Sequence, residues 1–564
     1  MPSKYLVVGG VAGGASTAAR LRRLSEDDEI IMFEKGPHVS FSNCSLPYYL
    51  SGTVANVDDL VLMCPEKFRS QYNIDARVNN EVIAIDREKK EVEVKNLESG
   101  ETYRENYDKL VLSPGARPIV PPIPGIEKAN IHTVRNVVDI DRLQQDIEKT
   151  RPSRITVIGG GFIGIEVVEN LIEAGHTVSL VEAAPQVLSQ FDTDMAQILH
   201  KELIDHDVDL VVNDRVTAFD TNKVMLESGR EIETEIIVMG IGVTPDSALA
   251  KAAGLKIGST GAIRVDHNYR TSDPDIYAVG DAIQVYNPIL RDYYTLALAG
   301  PAQRQARAVA NHIHNIPVDY HGYIGSSVVK VFDYNAASTG LNERMLQNTS
   351  IEYDSVKIVP KDKVGIMPDA EELHFKILFE VPTGRIIGAQ AIGRGNVDKR
   401  IDVIAATITA KGTVDHLKDL ELCYAPPFGT AKDVVNMAGY VASNILHETF
   451  KQVQITEIRS LVEKGAFILD VREQEEWDVG HIKVAKHIPL SELRQRIDEI
   501  PRDQPVYVHC RSGQRSYNAV LALQYRGYTE VYNVAGGYIG LCFHEYFHDR
   551  MTGREPIVTE YDFT

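Results

Sequence analysis

Short apolar runs alternate with helical patterns along most of the chain. Residues 4–9, KYLVVG, read as a buried strand; GGVAGGASTAARLRRL then opens a helix, and DEIIMFEK gives a second strand ending near Glu34. Strand, glycine turn, helix and strand in that order predict a βαβ unit. Gly9 and Gly14 take the first and third glycine places of a dinucleotide loop, while Val11 holds the middle one. Backbone N–H groups and the helix dipole at such a turn favour a pyrophosphate, and Glu34 is placed for a ribose hydroxyl. Taken alone, this loop also fits a plain βα turn without a ligand. The succession returns in RITVIGGGFIGIEVVENLIEAGHTVSLVE, now with a full G-x-G-x-x-G at Gly159, Gly161 and Gly164, and with Glu182 closing the next strand. A carboxylate there accepts from both ribose hydroxyls and repels a 2′-phosphate, so NADH is expected over NADPH. Two such folds imply two dinucleotides.

After Tyr440 the composition shifts. SNILHETFKQVQ leads, without a glycine- or proline-rich spacer, into a fresh αβ pattern. Within it VYVHCRSGQRSYNAVLAL reads as a strand ending at His509, then Cys510, a loop and a helix. The loop Arg511, Ser512, Gly513, Gln514 and Arg515 is expected to point backbone N–H groups inward, where they and the helix dipole stabilise a thiolate or persulfide sulfur.

A chain of 564 residues exceeds what one core serves, so three or four domains are expected. The apolar share of 44% is ordinary for globular protein, and no apolar run is long enough to cross a bilayer. A net charge of −20 argues against nucleic acid, whose phosphates need basic surface. The five cysteines, at 44, 64, 423, 510 and 542, make neither a disulfide framework nor a zinc spacing, so no metal is expected and a reducing cytoplasm fits best. Cys64, Cys423 and Cys542 carry no motif and are expected to pack. Cys44 lies in SFSNCSLPYYLSG, with the next cysteine twenty positions on. One thiol there can cycle through a sulfenic acid or through a mixed disulfide with a substrate.

TSDPDIYAVGDA and LVLSPGARP, taken with both glycine loops, resemble the two-dinucleotide flavoprotein disulfide reductases over roughly residues 1–445. The resemblance implies FAD in the first fold, with Asp281 on its ribityl chain, and NADH in the second. It also puts the redox thiol, Cys44, beside the flavin on the helix after the second strand, where a helix N-terminus would favour the thiolate. The stretch around Cys44, VDKRIDVIAA and YAPPFGTAKDVVNMAG are similar to the coenzyme A–disulfide reductase group. In that group Asn43 and Cys44 form the Asn-Cys pair, Ser40 belongs to the substrate site, and Tyr424 reaches the partner subunit's active site in a homodimer. Peroxidases and oxidases of the family carry a histidine where Ala12 stands, and Ser45 replaces a frequent glycine. The resemblance implies that arginines at the end of the first helix, Arg20 and Arg23 and less so Arg22, hold coenzyme A, as substrate or as bound cofactor. FILDVREQEEWDVGHIKVAKHIPLSEL and VYNVAGGYIG resemble a rhodanese domain with Cys510 as sulfur carrier. Asp470 and Arg472 would then be structural. A Cys-x-x-Gly-x-Arg loop also suits dual-specificity phosphatases and arsenate reductases.

The expected fold is α/β: two Rossmann-like dinucleotide-binding domains, an α+β dimerisation domain and an α/β rhodanese domain. Expected boundaries are FAD domain 1–112 and 271–322, NADH domain 113–270, interface domain 323–445, and linker with rhodanese 446–564. The expected function is an FAD-dependent reductase that uses NADH to reduce CoA persulfide, polysulfide or CoA disulfide through Cys44, coupled to sulfane-sulfur transfer at Cys510. An NADH peroxidase or oxidase with an appended sulfurtransferase domain, and a redox or sulfur-relay carrier, are the alternatives. Small sulfur compounds are the expected partners; neither nucleic acid nor membrane is.

Overall fold

The computed structural model describes residues 2–563. It divides into two compact units, residues 1–183 with 213–323, and residues 184–212 with 324–564.

The first unit holds two parallel sheets. One runs in the order Ile276–Ala278, Lys109–Leu112, Lys4–Val8, Glu29–Phe33, Asp75–Arg77, all neighbours parallel. Tyr5, Leu6, Val7 and Val8 are all buried, which is why the strand reads as an unbroken apolar run. The helix Ala12–Leu24 leaves this strand through the first glycine loop. The strand Ile276–Ala278 joins the sheet only after the chain has built the second one. The second sheet includes Val178–Val181, Ile155–Ile158, Ile236–Met239 and Ile131–His132 in that order, and the helix Phe162–Glu173 follows its glycine loop. Ala116–Pro118 pairs antiparallel with Val243–Pro245 and forms the crossing between the two sheets.

The second unit carries an antiparallel sheet, Ser326–Val331, Tyr334–Gly340, Ile386–Gly393, Leu373–Glu380, Tyr353–Ile358, and then a parallel sheet, Lys451–Val453, Val531–Val534, Val506–His509, Phe467–Asp470, Lys486–His487. The region of this parallel sheet is fixed to the antiparallel one by several contacts. Gln452 Nε2 donates to Ser355 O at 2.7 Å, His374 meets Phe543 edge to face at 5.1 Å, and Arg511 pairs with Glu372. Residues 184–212, expected with the NADH domain, pack in this unit. The cause is a buried charge cluster: Lys376 Nζ contacts Asp192 at 3.1 Å, Asp194 at 2.9 Å and Glu343 at 2.8 Å, and Lys357 Nζ contacts Asp194 at 3.0 Å. Past the helix Gly537–Thr552 the chain returns as a strap: Thr559 N donates to His481 O, Tyr538 Oη donates to Glu560 O, and Asp562 Oδ2 lies 3.7 Å from Arg511.

Candidate functional site

The two glycine loops share one geometry. Gly9 and Gly159 have φ of 95° and 105°, in the left-handed region that favours glycine. A Cβ on Gly14 would stand 1.7 Å from Gly9 O, and one on Gly164 1.8 Å from Gly159 O. Glycine at these places lets helix and strand close up. Glu34 Oε2 accepts from Gly10 N at 2.9 Å, and Glu182 Oε2 accepts from Gly160 N at 2.7 Å. The carboxylates thus stand at the mouths of their loops, within reach of a ribose. A Cβ on Gly161 would meet open space, so the fold itself does not need glycine there. Asp281 lies in the turn Gly280–Ala282, mostly buried, with Arg135 Nη2 3.5 Å from its carboxylate. Burial lifts the Asp281 carboxyl above its ordinary value, against the opposing charge of Arg135. A carboxylate this short of partners fits a site that a polar chain, such as a ribityl group, would complete.

Cys44 is exposed, free and without a second cysteine beside it in its turn Asn43–Ser45. This corrects the expectation of a helix N-terminus: the segment is a run of 3₁₀ turns, and the next α-helix, Pro65–Tyr72, begins 21 residues after Cys44. The stretch Pro47–Tyr49 puts proline and two aromatic residues where an α-helix would have needed to grow. Nor is the thiol acidified by its protein surroundings. Although its surface is exposed, the protein packed around Cys44 desolvates the thiol and pushes it above its usual range, the carboxylates of Glu166 and Asp281 push the same way, and Arg135 opposes them. Glu166, on the helix after the second glycine loop, is itself pushed up to about 7, by burial first and then by Glu169. Asn43 is half-buried, and Ser40 adopts φ 50° while its N–H donates to Gly10 O. This joins the thiol segment to the first glycine loop.

At the far end of the first helix Arg20 donates from Nε and Nη2 to Asn311 Oδ1 at 3.0 and 2.9 Å. Burial, then Arg307 and Arg23, press Arg20 below its usual range, so three cations crowd one surface. Arg22 is buried and spends its donors on the carbonyls of Tyr72, Ser25, Glu26, Asp28 and Asn73, a structural role.

Tyr424 belongs to the second unit and is 49% exposed, and Phe428, four residues on, is 65% exposed. Cys423 is exposed too, which corrects its expected packing role; Cys542 is buried as expected. Cys510 follows the strand Val506–His509 and is 1% exposed. Its Sγ accepts from Gly513 N at 3.2 Å and from Ser516 Oγ at 3.5 Å. Gly513 has φ 107° and caps the helix Gln514–Tyr525. Ser512 and Gln514 flank it. Of the two loop arginines, Arg511 turns to Glu372 and Asp562, and Arg515 is held by both oxygens of Glu476 at 2.6 Å. Asp470 and Arg472 are buried and paired at 2.7 Å, under the Tyr538 ring.

Sequence reasoning missed Arg135, Glu166 and Arg307. Glu166 stands two residues past the last motif glycine, and its charge reaches Cys44 only through the fold. Glu202, His206 and Asp333 bring ligand atoms within 4.8 Å, a set that cysteine spacing could not reveal. Glu202 Oε1 already accepts from Asp333 N, however.

Residues 3–306 match the family described as pyridine nucleotide-disulphide oxidoreductase. The chain belongs to that family. Its dimerisation domain matches residues 326–434, and a rhodanese-like domain matches residues 454–542. This family member is 34% identical over 446 residues to the coenzyme A disulfide reductase of Staphylococcus epidermidis, covering 78% of the chain and 100% of that relative. The reduced Bacillus anthracis CoADR-RHD structure is similar along nearly the whole chain, with 48% identity, TM-score 0.94, and 96% and 98% of the two chains covered. The NAD-dependent persulfide reductase of A. fulgidus follows at 35% identity and TM-score 0.90, covering 95% and 99%. The protein is therefore an oxidoreductase of a family that uses FAD and NAD(H), with an appended rhodanese domain. No helix among the described residues is long and apolar enough to cross a membrane.

Proposed function

We propose that this oxidoreductase reduces sulfur–sulfur bonds of coenzyme A persulfide, polysulfide or coenzyme A disulfide through Cys44, and that Cys510 carries sulfane sulfur for the same chemistry. The observation that carries the reading is the solitary, exposed Cys44, in a segment tied to the first glycine loop by Ser40 N–H donating to Gly10 O. A lone thiol has no internal cysteine partner, so it can turn over through a mixed disulfide with an acceptor that brings its own sulfur. Names borne by its relatives, coenzyme A disulfide reductase and NAD-dependent persulfide reductase, support the same choice.

Gly9, Gly14, Glu34 and Asp281 would hold FAD, and Gly159, Gly161, Gly164 and Glu182 would hold NADH. Glu182 disfavours a 2′-phosphate. Once bound, the two dinucleotides supply the electron pair. Cys44 thiolate attacks the substrate's S–S bond; the Cys44–sulfur bond forms as the old bond breaks, the leaving sulfur keeps that bond's electron pair, and the pair that the dinucleotides would supply then splits the Cys44–sulfur bond and returns the Cys44 thiolate. Glu166, carrying a proton near neutral pH, can donate it to that leaving thiolate. Arg20, Arg23 and Arg307 offer three positive charges to the phosphates of coenzyme A. Tyr424 would serve the partner subunit's site in a homodimer, consistent with the dimerisation domain and the tyrosine's exposure. Five free cysteines suit a reducing compartment such as the cytoplasm.

The test is a pair of variants. Cys44→Ser is expected to abolish sulfur-dependent NADH oxidation while flavin stays bound, and Cys510→Ser to abolish sulfur transfer only. Retained turnover of coenzyme A persulfide in Cys44→Ser would overturn the assignment. A peroxide turnover as fast as the sulfur reaction would favour a peroxidase instead.

A further inference from the structure

Two guanidiniums stand on the Cys510 loop, and both are already answered by carboxylates. Arg511, next in the chain after Cys510, pairs through Nη2 with Glu372, and its Nη1 lies 3.7 Å from Asp562 Oδ2. Arg515 gives Nη1 and Nη2 to the two oxygens of Glu476, each at 2.6 Å. Arg472 is spent in the same way, buried against Asp470 at 2.7 Å. Lys432 lines a cavity together with Ser512, Gly513 and Gln514, but it is exposed, 5.3 Å from the Tyr440 ring centre, where water and salt screen its charge. Glu372 does not come from the rhodanese-like region. It lies in the dimerisation region, 139 residues before Arg511, just ahead of the strand Leu373–Glu380. Its backbone pairs with Lys361, which fixes where its side chain starts. The side chains of Glu372 and Arg511 are only 28% and 23% exposed, so their charges are screened less than those of an open surface pair. The loop is held in turn: Tyr538 N donates to Cys510 O at 2.8 Å and Ile539 N to Arg511 O at 3.1 Å. The carboxylate and the sulfur loop therefore keep their places relative to each other.

We propose that Glu372 is a specificity-determining residue for the Cys510 site: it cancels the positive charge of the loop and so turns the site away from compact dianionic sulfur donors, toward donors with at most a single negative charge at the sulfur. The proposal rests on the reading of Cys510 as a sulfur carrier and says which donors that carrier takes. Thiosulfate is a compact dianion, whereas the terminus of a persulfide brings a single charge or none. The bond changes are the same for each. Cys510 thiolate attacks the outer sulfur, a Cys510–sulfur bond forms, the donor's S–S bond breaks, and its electron pair leaves with sulfite, a sulfinate or a thiolate. The step needs neither oxidant nor reductant. What differs is the charge brought up to the loop. Coulomb energy is proportional to that charge, so on a logarithmic rate scale the carboxylate opposes a dianion about twice as strongly as a monoanion of the same shape.

The test uses the full-length flavoprotein and a pair of donors that share one S–S chemistry and differ by one charge, thiosulfate and methanethiosulfonate. Rapid mixing followed by mass spectrometry of the Cys510 peptide gives the rate of sulfur loading for each. Glu372→Gln removes a negative charge beside the loop and is expected to speed thiosulfate about tenfold and methanethiosulfonate about threefold. Arg511→Gln breaks the same ion pair but leaves the carboxylate behind, so it is expected to slow both donors, thiosulfate the more. A bond that served only to hold the loop in shape would move the two variants in the same direction. Each variant is read as a ratio between donors, and methanethiosulfonate loading shows that the loop is intact; if one variant loses its fold, the other decides. Donor ratios that stay at the wild-type value, or that shift the same way in both variants, would overturn the role of Glu372. A wild-type Cys510 that takes sulfur from neither donor nor from coenzyme A persulfide would instead overturn the carrier reading itself.

Discussion

Glu166 bears on the protonation of Cys44. A charged Glu166 raises the Cys44 thiol, so replacing the carboxylate by a neutral amide should favour the thiolate. In Glu166→Gln the alkylation of Cys44 by iodoacetamide is therefore expected to be faster at pH 8, with its titration midpoint moved to lower pH. Its pH profile should also lose the step near 7 that belongs to Glu166. An unchanged profile would mean that the two groups do not interact. Cys44, Cys510 and the glycines could be picked out in the sequence because each stands in a local pattern whose geometry is set within a few residues. Glu166, Arg135 and Arg307 could not, since their importance comes from strands and helices that meet only after folding. Arg511 shows the same limit from the other side. The sequence places it in the sulfur loop, but the partner that decides where its side chain goes, Glu372, is 139 residues away.

At the level of elements, each glycine loop divides its labour between folding and binding. Gly164→Ala would drive a methyl group into Gly159 O, and it is expected to cost roughly 1–3 kcal/mol of stability and to lower the thermal midpoint of the flavoprotein. Gly161→Ala adds a Cβ that meets no protein atom within 4 Å, so the midpoint should hold while NADH affinity drops about tenfold or more, read by titrating flavin reduction. Both βαβ units were legible because their strands are buried on two faces and therefore read as uninterrupted apolar runs. The Cys44 segment was misread as a helix N-terminus because the family resemblance, not the local residues, had suggested one. The sequence there offers proline and paired tyrosines, and the chain answers with 3₁₀ turns.

For the whole molecule, the decisive contacts lie in the second unit's buried charge cluster. Burial works against the charged form of Asp194, but Lys357 and Lys376 outweigh it and hold the carboxyl well below its usual range. Its folded value is depressed, so the stability it adds is present above the unfolded value, near pH 4, and is lost as pH falls further. Burial likewise opposes charged Lys376, yet Asp194, Asp192 and Glu343 raise it, and that contribution fades only as pH climbs past the ordinary lysine range. Lys376→Met strands buried carboxylates and is expected to cost roughly 3–5 kcal/mol, seen as loss of sulfurtransferase activity at lower urea. No stretch of sequence announces this cluster. Its members come from positions 192, 194, 343, 357 and 376, and it explains why the helix Thr193–Asp205 packs with residues far downstream. The closing strap has a practical corollary. Because Tyr538 and Arg511 are each tied to residues beyond Gly553, a protease that nicks the turn before Ile557 would loosen the ring of contacts around the sulfur loop without touching any residue in it. Sulfur transfer should then decay on digestion before flavin is released.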